Sequence, residues 1–363
     1  MVKIAIISDT HLGYPRFSED AYNQAKSALI DANEKADLIL LAGDVFDTRI
    51  PKFETIEQLI GILREMKVPV IAIHGNHERR SRDMINALQL LQSGGLITYL
   101  HNEGRIIEVN GEKINIIGLG NVPSGYEMVA IESSIKKNPR IEGVLNIFLI
   151  HQDIKGISFG ESDLSIEDID KIPYELVVNG HVHKKLLDSG KLIIPGSTVV
   201  TQLKEGETEQ RGYVIYDTTS KKSEFFEIPC RKFVLKVLEF NNSGISEVRE
   251  RIEKELAGID ENTIIKIVLK GTLKEGLESG DLSLSYRRNG VYLENKLNVL
   301  SLKEKIEKIK ELKENKLSVR EVATKALEEK TKGKIDFNAK EFFEKISEGV
   351  EEGLEYLGVY TTN

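Results

Sequence analysis

Residues 2–11 read Val-Lys-Ile-Ala-Ile-Ile-Ser-Asp-Thr-His, an apolar run that ends abruptly in polar chemistry. The same figure recurs along the next two hundred residues. Leu38–Leu41 leads into Gly43-Asp44-Val45-Phe46-Asp47, and Val68–Ile73 leads into Gly75-Asn76-His77-Glu78. Asn146–Ile150 precedes His151-Gln152, Leu176–Val178 precedes Gly180-His181-Val182-His183, and Leu192–Ile194 forms a sixth run. Short Ile/Val/Leu runs bounded by Gly, Asp and Asn read as buried strands. Tyr22–Glu34 and Lys52–Met66 between them carry helical spacing, with Phe53, Ile56, Ile60 and Leu63 on one stripe of the second. Strands alternating with helices predict an α/β layered fold with a largely parallel sheet core. In such sheets ligands bind at the carboxyl ends of the strands, where the polar clusters lie.

The texture changes after Cys230. Phe233–Phe240, Thr263–Leu269 and Gly290–Leu297 read as strands and Ser243–Leu256 as a helix, predicting a small α/β domain over residues 231–300. From residue 301 to 363 the reading is helical. Ser301…Glu304, Ser318…Glu321 and Asn338…Glu341 each have the spacing of a capping box. Phe343, Ile346, Val350, Leu354 and Leu357 form an apolar stripe that serves either its own domain's core or a partner helix.

A chain of 363 residues exceeds one ordinary core, and 40% hydrophobic with 30% charged residues fits a globular protein. No apolar run is long enough to span a bilayer, and the opening residues lack a signal peptide's pattern. The single cysteine, Cys230, excludes an internal disulfide framework and points to the cytoplasm. A net charge of −8 argues against a surface that grips nucleic acid everywhere, while leaving room for a local basic groove. Arg79, Arg80 and Arg82 follow the third cluster, and Arg16, Arg49, Lys184 and Lys185 lie near other motifs. They suit contacts to backbone phosphates, which position a strand without reading it. No alternation of basic and aromatic residues signals base stacking.

Each polar cluster alone has a bland explanation. Asp after a strand is often a turn residue, and a single His is more often a satisfied polar group than a ligand. Together they are informative, because five of the chain's seven His fall in them. Asp, Asn and His are oxygen and nitrogen donors that suit Mn, Fe, Zn or Mg, and no thiolate accompanies them. Two such ions can clamp the attacking and leaving oxygens of a phosphoryl displacement. That arrangement needs a bridging carboxylate, for which Asp44 is the natural residue. Asp9 and His11 can hold one ion, Asn76 and His151 the other. His181 and His183 reach one ion each if they lie in a loop. His77, beside Asn76, can donate a proton to the leaving oxygen or neutralise developing charge.

The ordered series D-x-H, G-D, G-N-H-E, H and G-H-x-H resembles the calcineurin-like metallophosphoesterase superfamily. Within it the chain is most similar to the DNA double-strand break repair nucleases of the Mre-eleven and SbcD kind. Ser8-Asp9-Thr10-His11-Leu12-Gly13, Gly43-Asp44-Val45-Phe46-Asp47 with Pro51, Ile194-Pro195-Gly196-Ser197-Thr198 and Arg231-Lys232-Phe233 carry that likeness. It implies a β-sandwich flanked by helices in four αββα layers over residues 1–230, a capping domain over 231–300 and a partner-binding helical segment over 301–363. It further implies two Mn²⁺ ions, with Mg²⁺ or Fe²⁺ as alternatives. Asp9, His11, Asp44 and His183 would hold one; Asp44, Asn76, His151 and His181 the other. His77 matches the family's catalytic histidine. The implied activities are 3′–5′ exonuclease on duplex DNA and endonuclease on single strands. The implied partners are DNA ends, a coiled-coil ABC-type ATPase and a second copy joined through Lys52–Met66 and Arg82–Gln92. Asp47 departs from the family, many members of which carry a second histidine there. The alternatives are a phosphatase or cyclic nucleotide phosphodiesterase on the same metal site, or a DNA-end scaffold. His74 and His101 match no ligand role: the first reads as strand-end packing, the second as a surface residue.

Overall fold

The computed structural model describes residues 1–81, 84–158, 160, 162–274 and 290–297, with isolated positions 338, 341, 342 and 345. The apolar stripe from Phe343 to Leu357, the first two capping boxes and Arg82 lie outside the described residues. In the third box, Asn338 Oδ1 accepts from the backbone of Glu341 at 3.3 Å.

The chain opens with β1 (Lys3–Ile7), α1 (Ser18–Lys35), β2 (Leu38–Ala42), α2 (Phe53–Leu63), β3 (Val70–Ile73), α3 (Ala87–Ser93) and β4 (Thr98–Tyr99). These strands run parallel, and the sheet is completed far along the chain by β11 (Gly212–Asp217), antiparallel beside β1, and β12 (Lys222–Glu227), antiparallel beside β11. The second six-stranded sheet contains β5 (Glu103–Val109), β6 (Glu112–Leu119), β7 (Leu145–Ile150), β8 (Leu176–Asn179), β10 (Leu192–Ile194) and β9 (Leu186–Ser189), in that spatial order. Its inner four strands are parallel and its two edges antiparallel. Two helices belong to this half, α4 (Glu127–Lys137) and α5 (Ile166–Lys171).

The period-2 geometry of strands explains how the layers stack. Ile4 and Ile6 of β1, with Leu38 and Leu40 of β2, point inward to meet Ile114, Ile116, Ile147 and Leu149 of the second sheet. Ala5 and Ile7 point the other way, against Ala25, Ala28 and Leu29 of α1 and Leu59 and Ile62 of α2. Phe148 and Ile150 likewise face Ile131 of α4 and Ile169 of α5. Strands buried on both faces read as unbroken apolar runs, which is why these runs stood out in the sequence. The result is the expected four-layer αββα sandwich. The helical stripe expected over Lys52–Met66 is rotated: Thr55, Ile56, Leu59, Ile62 and Leu63 are buried, whereas Phe53 is 86% exposed. Among the described residues no helix is long and apolar enough to cross a membrane.

A separate parallel sheet joins β13 (Phe233–Ser243), β14 (Ile264–Leu273) and β15 (Val291–Leu297), with α6 (Ile245–Ala257) packed on it through Val248 and Ile252. Phe233 and Ile264 pack against Phe17, Ala21, Val199 and Val200, and Arg231 pairs with Asp20 at 3.0 Å. The sheet therefore leans on the segment that follows the first polar cluster.

The two large sheets come together at their carboxyl ends. Gly180, just past β8, lies so close to β2 and β7 that a Cβ there would collide with Ala42 O, Ser8 Oγ and His151 Nδ1. Replacing it by alanine is expected to destabilise the fold by at least roughly 1–3 kcal/mol, the usual overpacking cost. A denaturant midpoint equal to that of the parent would refute this close approach.

Candidate metal centre

The loops after β1 and β2 are zipped together by Asp9 N→Gly43 O (3.1 Å), His11 N→Asp44 O (3.0 Å) and Leu12 N→Val45 O (2.9 Å). Glu78 bolts the third loop to the second: its two carboxylate oxygens accept from Phe46 N at 2.8 Å and Gly75 N at 2.9 Å. Burial and the nearby Asp44 charge lift the Glu78 carboxyl to about 7, against those two hydrogen bonds. Three of the ligand candidates in these first loops, and one in the last, have left-handed backbone: Asp9 (φ 52°), His11 (φ 44°), Asp44 (φ 48°) and His181 (φ 73°). Non-glycine residues held there cost of order 1 kcal/mol or more, and such residues cluster at functional sites.

All seven ligand candidates and His77 converge. Asp9, His11 and His183 bring donor atoms within 4.8 Å of one another; so do Asp44, His151 and His181, and so do His11, Asp44 and His77. Asn76 belongs with the second group, its Oδ1 lying 3.2 Å from His151 Nε2 and 2.9 Å from His181 Nδ1. Asp44 links the groups: Oδ1 accepts from His77 N at 2.9 Å and Oδ2 lies 3.4 Å from His151 Nε2. His181 and His183 sit in the loop after β8, so the opposite facing of a strand does not separate them from the site.

The hydrogen-bonding pattern fits cations. His11 Nδ1 faces Asp47 Oδ1 at 3.1 Å, and His183 Nδ1 faces Glu207 Oε1 at 3.1 Å. Carboxylates only accept, so both Nδ1 atoms carry the proton and both Nε2 atoms present lone pairs. Those two Nε2 atoms lie 3.2 Å apart, acceptor against acceptor. Asp9 Oδ1 is buried without a hydrogen-bond partner and faces them at 3.6 and 3.9 Å. At the second group, His151 Nδ1 donates to Ala42 O at 2.7 Å, which leaves its Nε2 lone pair facing Asn76 and Asp44. A divalent cation, or a proton, relieves each of these confrontations.

The titration tendencies agree. Burial disfavours charge on His151, but the Asp44 carboxylate outweighs it and raises the imidazole to about 9. Burial disfavours charge on Asp44 as well, yet His151, His11 and His77 hold it well below the usual carboxylate range. His11 is raised too: burial opposes charge, while Asp47, Asp44 and Asp9 favour it.

Several supporting residues were not singled out by the sequence. Asp153 Oδ1 holds His181 Nε2 at 3.1 Å, and as the second residue after His151 it left a His-x-Asp trace. Glu207 had no local signal; it also accepts from Thr201 N at 2.7 Å and pairs with Arg211. Arg211 in turn donates to His183 O at 3.1 Å and Ser197 Oγ at 3.0 Å, which gives the Gly196-Ser197-Thr198 block its place. Asn121 donates to His151 O at 2.9 Å. Asp47 takes a definite position: its side chain orients His11, and its backbone carbonyl accepts from His77 Nδ1 at 2.6 Å. The His77 side chain is 37% exposed, against 23% for His181, 14% for His183 and at most 2% for Asp9, His11, Asp44 and His151, so it is the most open histidine of the group. His74 is buried against Tyr99 and His101 is exposed, as expected of residues without a ligand role.

Two outcomes follow. Asp47→Ala should weaken Mn²⁺ binding about 10–100-fold, the usual effect of losing a group that orients a ligand; unchanged affinity by calorimetry would exclude the orienting role. Below about pH 9 a protonated His151 must lose its proton to bind metal. Mn²⁺ binding should therefore release protons and tighten from about pH 6.5 to 8.5, read as heats in two buffers of different ionisation enthalpy. Absence of proton release would remove His151 from the ligand set.

Comparison with known proteins accords with this geometry. The family model for calcineurin-like phosphoesterases matches residues 2–185. The chain is 26% identical over 303 residues to the double-strand break repair protein MRE11 of Encephalitozoon cuniculi, covering 71% of this chain and 53% of that protein. It is 27% identical to the DNA double-strand break repair protein Mre11 of Archaeoglobus fulgidus, covering 75% and 69%. With the Mre11 of Saccharolobus solfataricus the identity is 26%, covering 79% and 82%. The chain thus spans about half the length of the first relative and more of the other two. The family match takes in five polar clusters and half of the sequence, and on that ground the chain belongs to the calcineurin-like phosphoesterase family of metal-dependent hydrolases.

Proposed function

We propose that the chain is a two-metal DNA nuclease that processes the ends of double-strand breaks. The observation that carries the reading is the meeting of two donor groups on one buried carboxylate, Asp44. Asp9, His11, Asp44 and His183 hold one ion in this reading, and Asp44, Asn76, His151 and His181 the other. Manganese is the expected metal, and Mg²⁺ or Fe²⁺ accept the same donors. The ions would supply Lewis-acid polarisation of the phosphodiester and neutralise its charge. The protein's share falls to His77. Its Nδ1 proton is tied to Asp47 O, so Nε2 faces the substrate side near Asp44. Water adds to phosphorus, the ester P–O bond breaks, the departing oxygen takes a proton from Nε2 of the imidazolium form, and the proton shed by the water restores that form. Asp47 keeps that ring in place through its backbone, which the side-chain difference from other family members leaves intact.

The relatives' names supply the DNA repair context, and 3′–5′ exonuclease with single-strand endonuclease activity is the corresponding division of labour. Residues 1–230 would be the nuclease domain, 231–300 the capping domain and 301–363 the segment that binds a coiled-coil ABC-type ATPase. Homodimerisation through α2 and α3 is favoured by exposed Phe53, Ile85 and Leu90 around them. The cytoplasm is the expected compartment. A net charge of −8 favours a second reading, a phosphatase or cyclic nucleotide phosphodiesterase on the same centre.

An assay on linear duplex and single-stranded DNA with Mn²⁺, beside a small phosphodiester, separates the two. Cleavage of DNA that stops with a chelator is expected. Asp44→Ala should abolish it by removing the shared ligand, and His77→Ser should bind metal yet lose about 10²–10⁴ in turnover. Hydrolysis of the small ester with DNA untouched would establish the second reading.

A further inference from the structure

Beside the metal centre lies a cavity of about 800 Å³, within the range of ligand-binding clefts and too large for an ion. Arg49, Arg79 and Arg80 line it, and among the described residues none of the three has a carboxylate within ion-pair distance. Three other described cations singled out in the sequence are engaged: Lys184 and Lys185 with Glu209, and Arg16 over the ring of Tyr292. Burial and the neighbouring charge of Arg49 both hold Arg79 below its usual value, so this side of the cavity calls for an anion. In a chain of net charge −8 such a concentration is selective.

The remainder of the lining is not phosphate chemistry. His101 is exposed and packs on His74 with ring centroids 4.7 Å apart. Met84 and Pro123 add apolar surface, while Asn86 and Gln89 add amide groups that reciprocally cap α3. The sequence showed no alternation of rings and cations because the fold draws them from three separate stretches. The cavity is joined to the metal centre by one bonded chain: Arg79 Nη1 donates to Asn121 Oδ1 at 2.7 Å, and Asn121 Nδ2 donates to His151 O at 2.9 Å.

We infer that this cavity is a subsite for an unpaired nucleotide of a DNA strand lying across the metal centre, with Arg49 and Arg79 on its phosphates and His101 against its base. A ring that stacks needs a free base face, which a paired and stacked duplex does not offer. The subsite therefore recognises single-stranded or frayed DNA without regard to sequence. The choice of DNA as ligand rests on the nuclease reading above.

The test is equilibrium binding of a fluorescent ten-nucleotide thymidine strand to the full chain in EDTA, where no metal holds the phosphate. The parent protein should bind, and Arg49→Ala/Arg79→Ala should bind at least tenfold more weakly. The salt slope should fall by about 0.7 for each phosphate contact removed. Arg49→Ala alone changes an exposed side chain and should keep the fold while losing about half of that slope change. His101→Ala should weaken binding about fivefold with the slope unchanged, since it removes stacking and no charge. Arg105→Ala/Lys113→Ala, exposed on the second sheet, should have less than a twofold effect. No binding by the parent, or equal losses from the two double variants, overturns the subsite. Cleavage with Mn²⁺ is scored separately. DNA bound at this subsite but never cut defeats the nuclease reading alone, and DNA cut with binding indifferent to Arg49 and Arg79 defeats the subsite alone.

Discussion

Two imidazole lone pairs facing each other at 3.2 Å, beside a carboxylate oxygen with no hydrogen-bond donor, set the terms for the rest of the molecule. Such a grouping is unfavourable in a buried place unless positive charge occupies it. The surroundings hold the lone pairs where they are. Asp47, Glu207 and Ala42 O take the far sides of three rings, and Asp153 takes that of a fourth, so each ring has one orientation. Behind them stand the zipped loops, and behind the loops two sheets whose carboxyl ends meet. The αββα architecture places strand ends from both sheets at one rim, and the donors come from both.

The legibility of the chain follows from the same architecture. Parallel strands covered on both faces leave unbroken apolar runs, so β1, β2, β3, β7, β8 and β10 were readable, and polar clusters at most of their ends marked the ligand candidates, whereas inner β6 was missed because Asn115 and Gly118 interrupt its run. Edge elements were not. In β5 the burial pattern is mostly exposed, and Glu103, Arg105 and Glu108 hide its strand character. The β11–β12 hairpin closes the first sheet across nearly the whole sandwich domain, a pairing that no local window reveals. Helix α2 shows the limit of periodicity: the pattern admitted Phe53, but position at the first turn leaves that ring in solvent. The supporting carboxylates fall into the same divide. Asp153 could have been noticed beside His151, whereas Glu207 is tied to His183 by tertiary structure alone.

The small parallel sheet bears on the site through one short stretch. Tyr14 N bonds to His11 O, Tyr14 Oη donates to Thr201 O at 2.7 Å, and Phe17 packs with Phe233 and Ile264. Thr201 also contacts both His183 Nδ1 and Glu207. Movement of the small sheet would press on the stretch that carries His11 and on the support of His183 at once. Both residues belong to the same donor group, so any such coupling would act on one ion position before the other.

The left-handed backbone at Asp9, His11, Asp44 and His181 restricts what can ever replace them. Chain geometry there would welcome glycine, which offers no donor, while glutamate and threonine, which keep an oxygen, are poorly suited to the conformation. At Asp9 and Asp44 asparagine fits the turn and retains an oxygen, at the cost of a negative charge. Each of these positions is thus screened twice, by backbone shape and by the donor atom it must offer, and the paths open to gradual change are few. A lineage altering its metal preference would meet less resistance at His183 or Asn76, whose backbones are relaxed, than at the shared carboxylate.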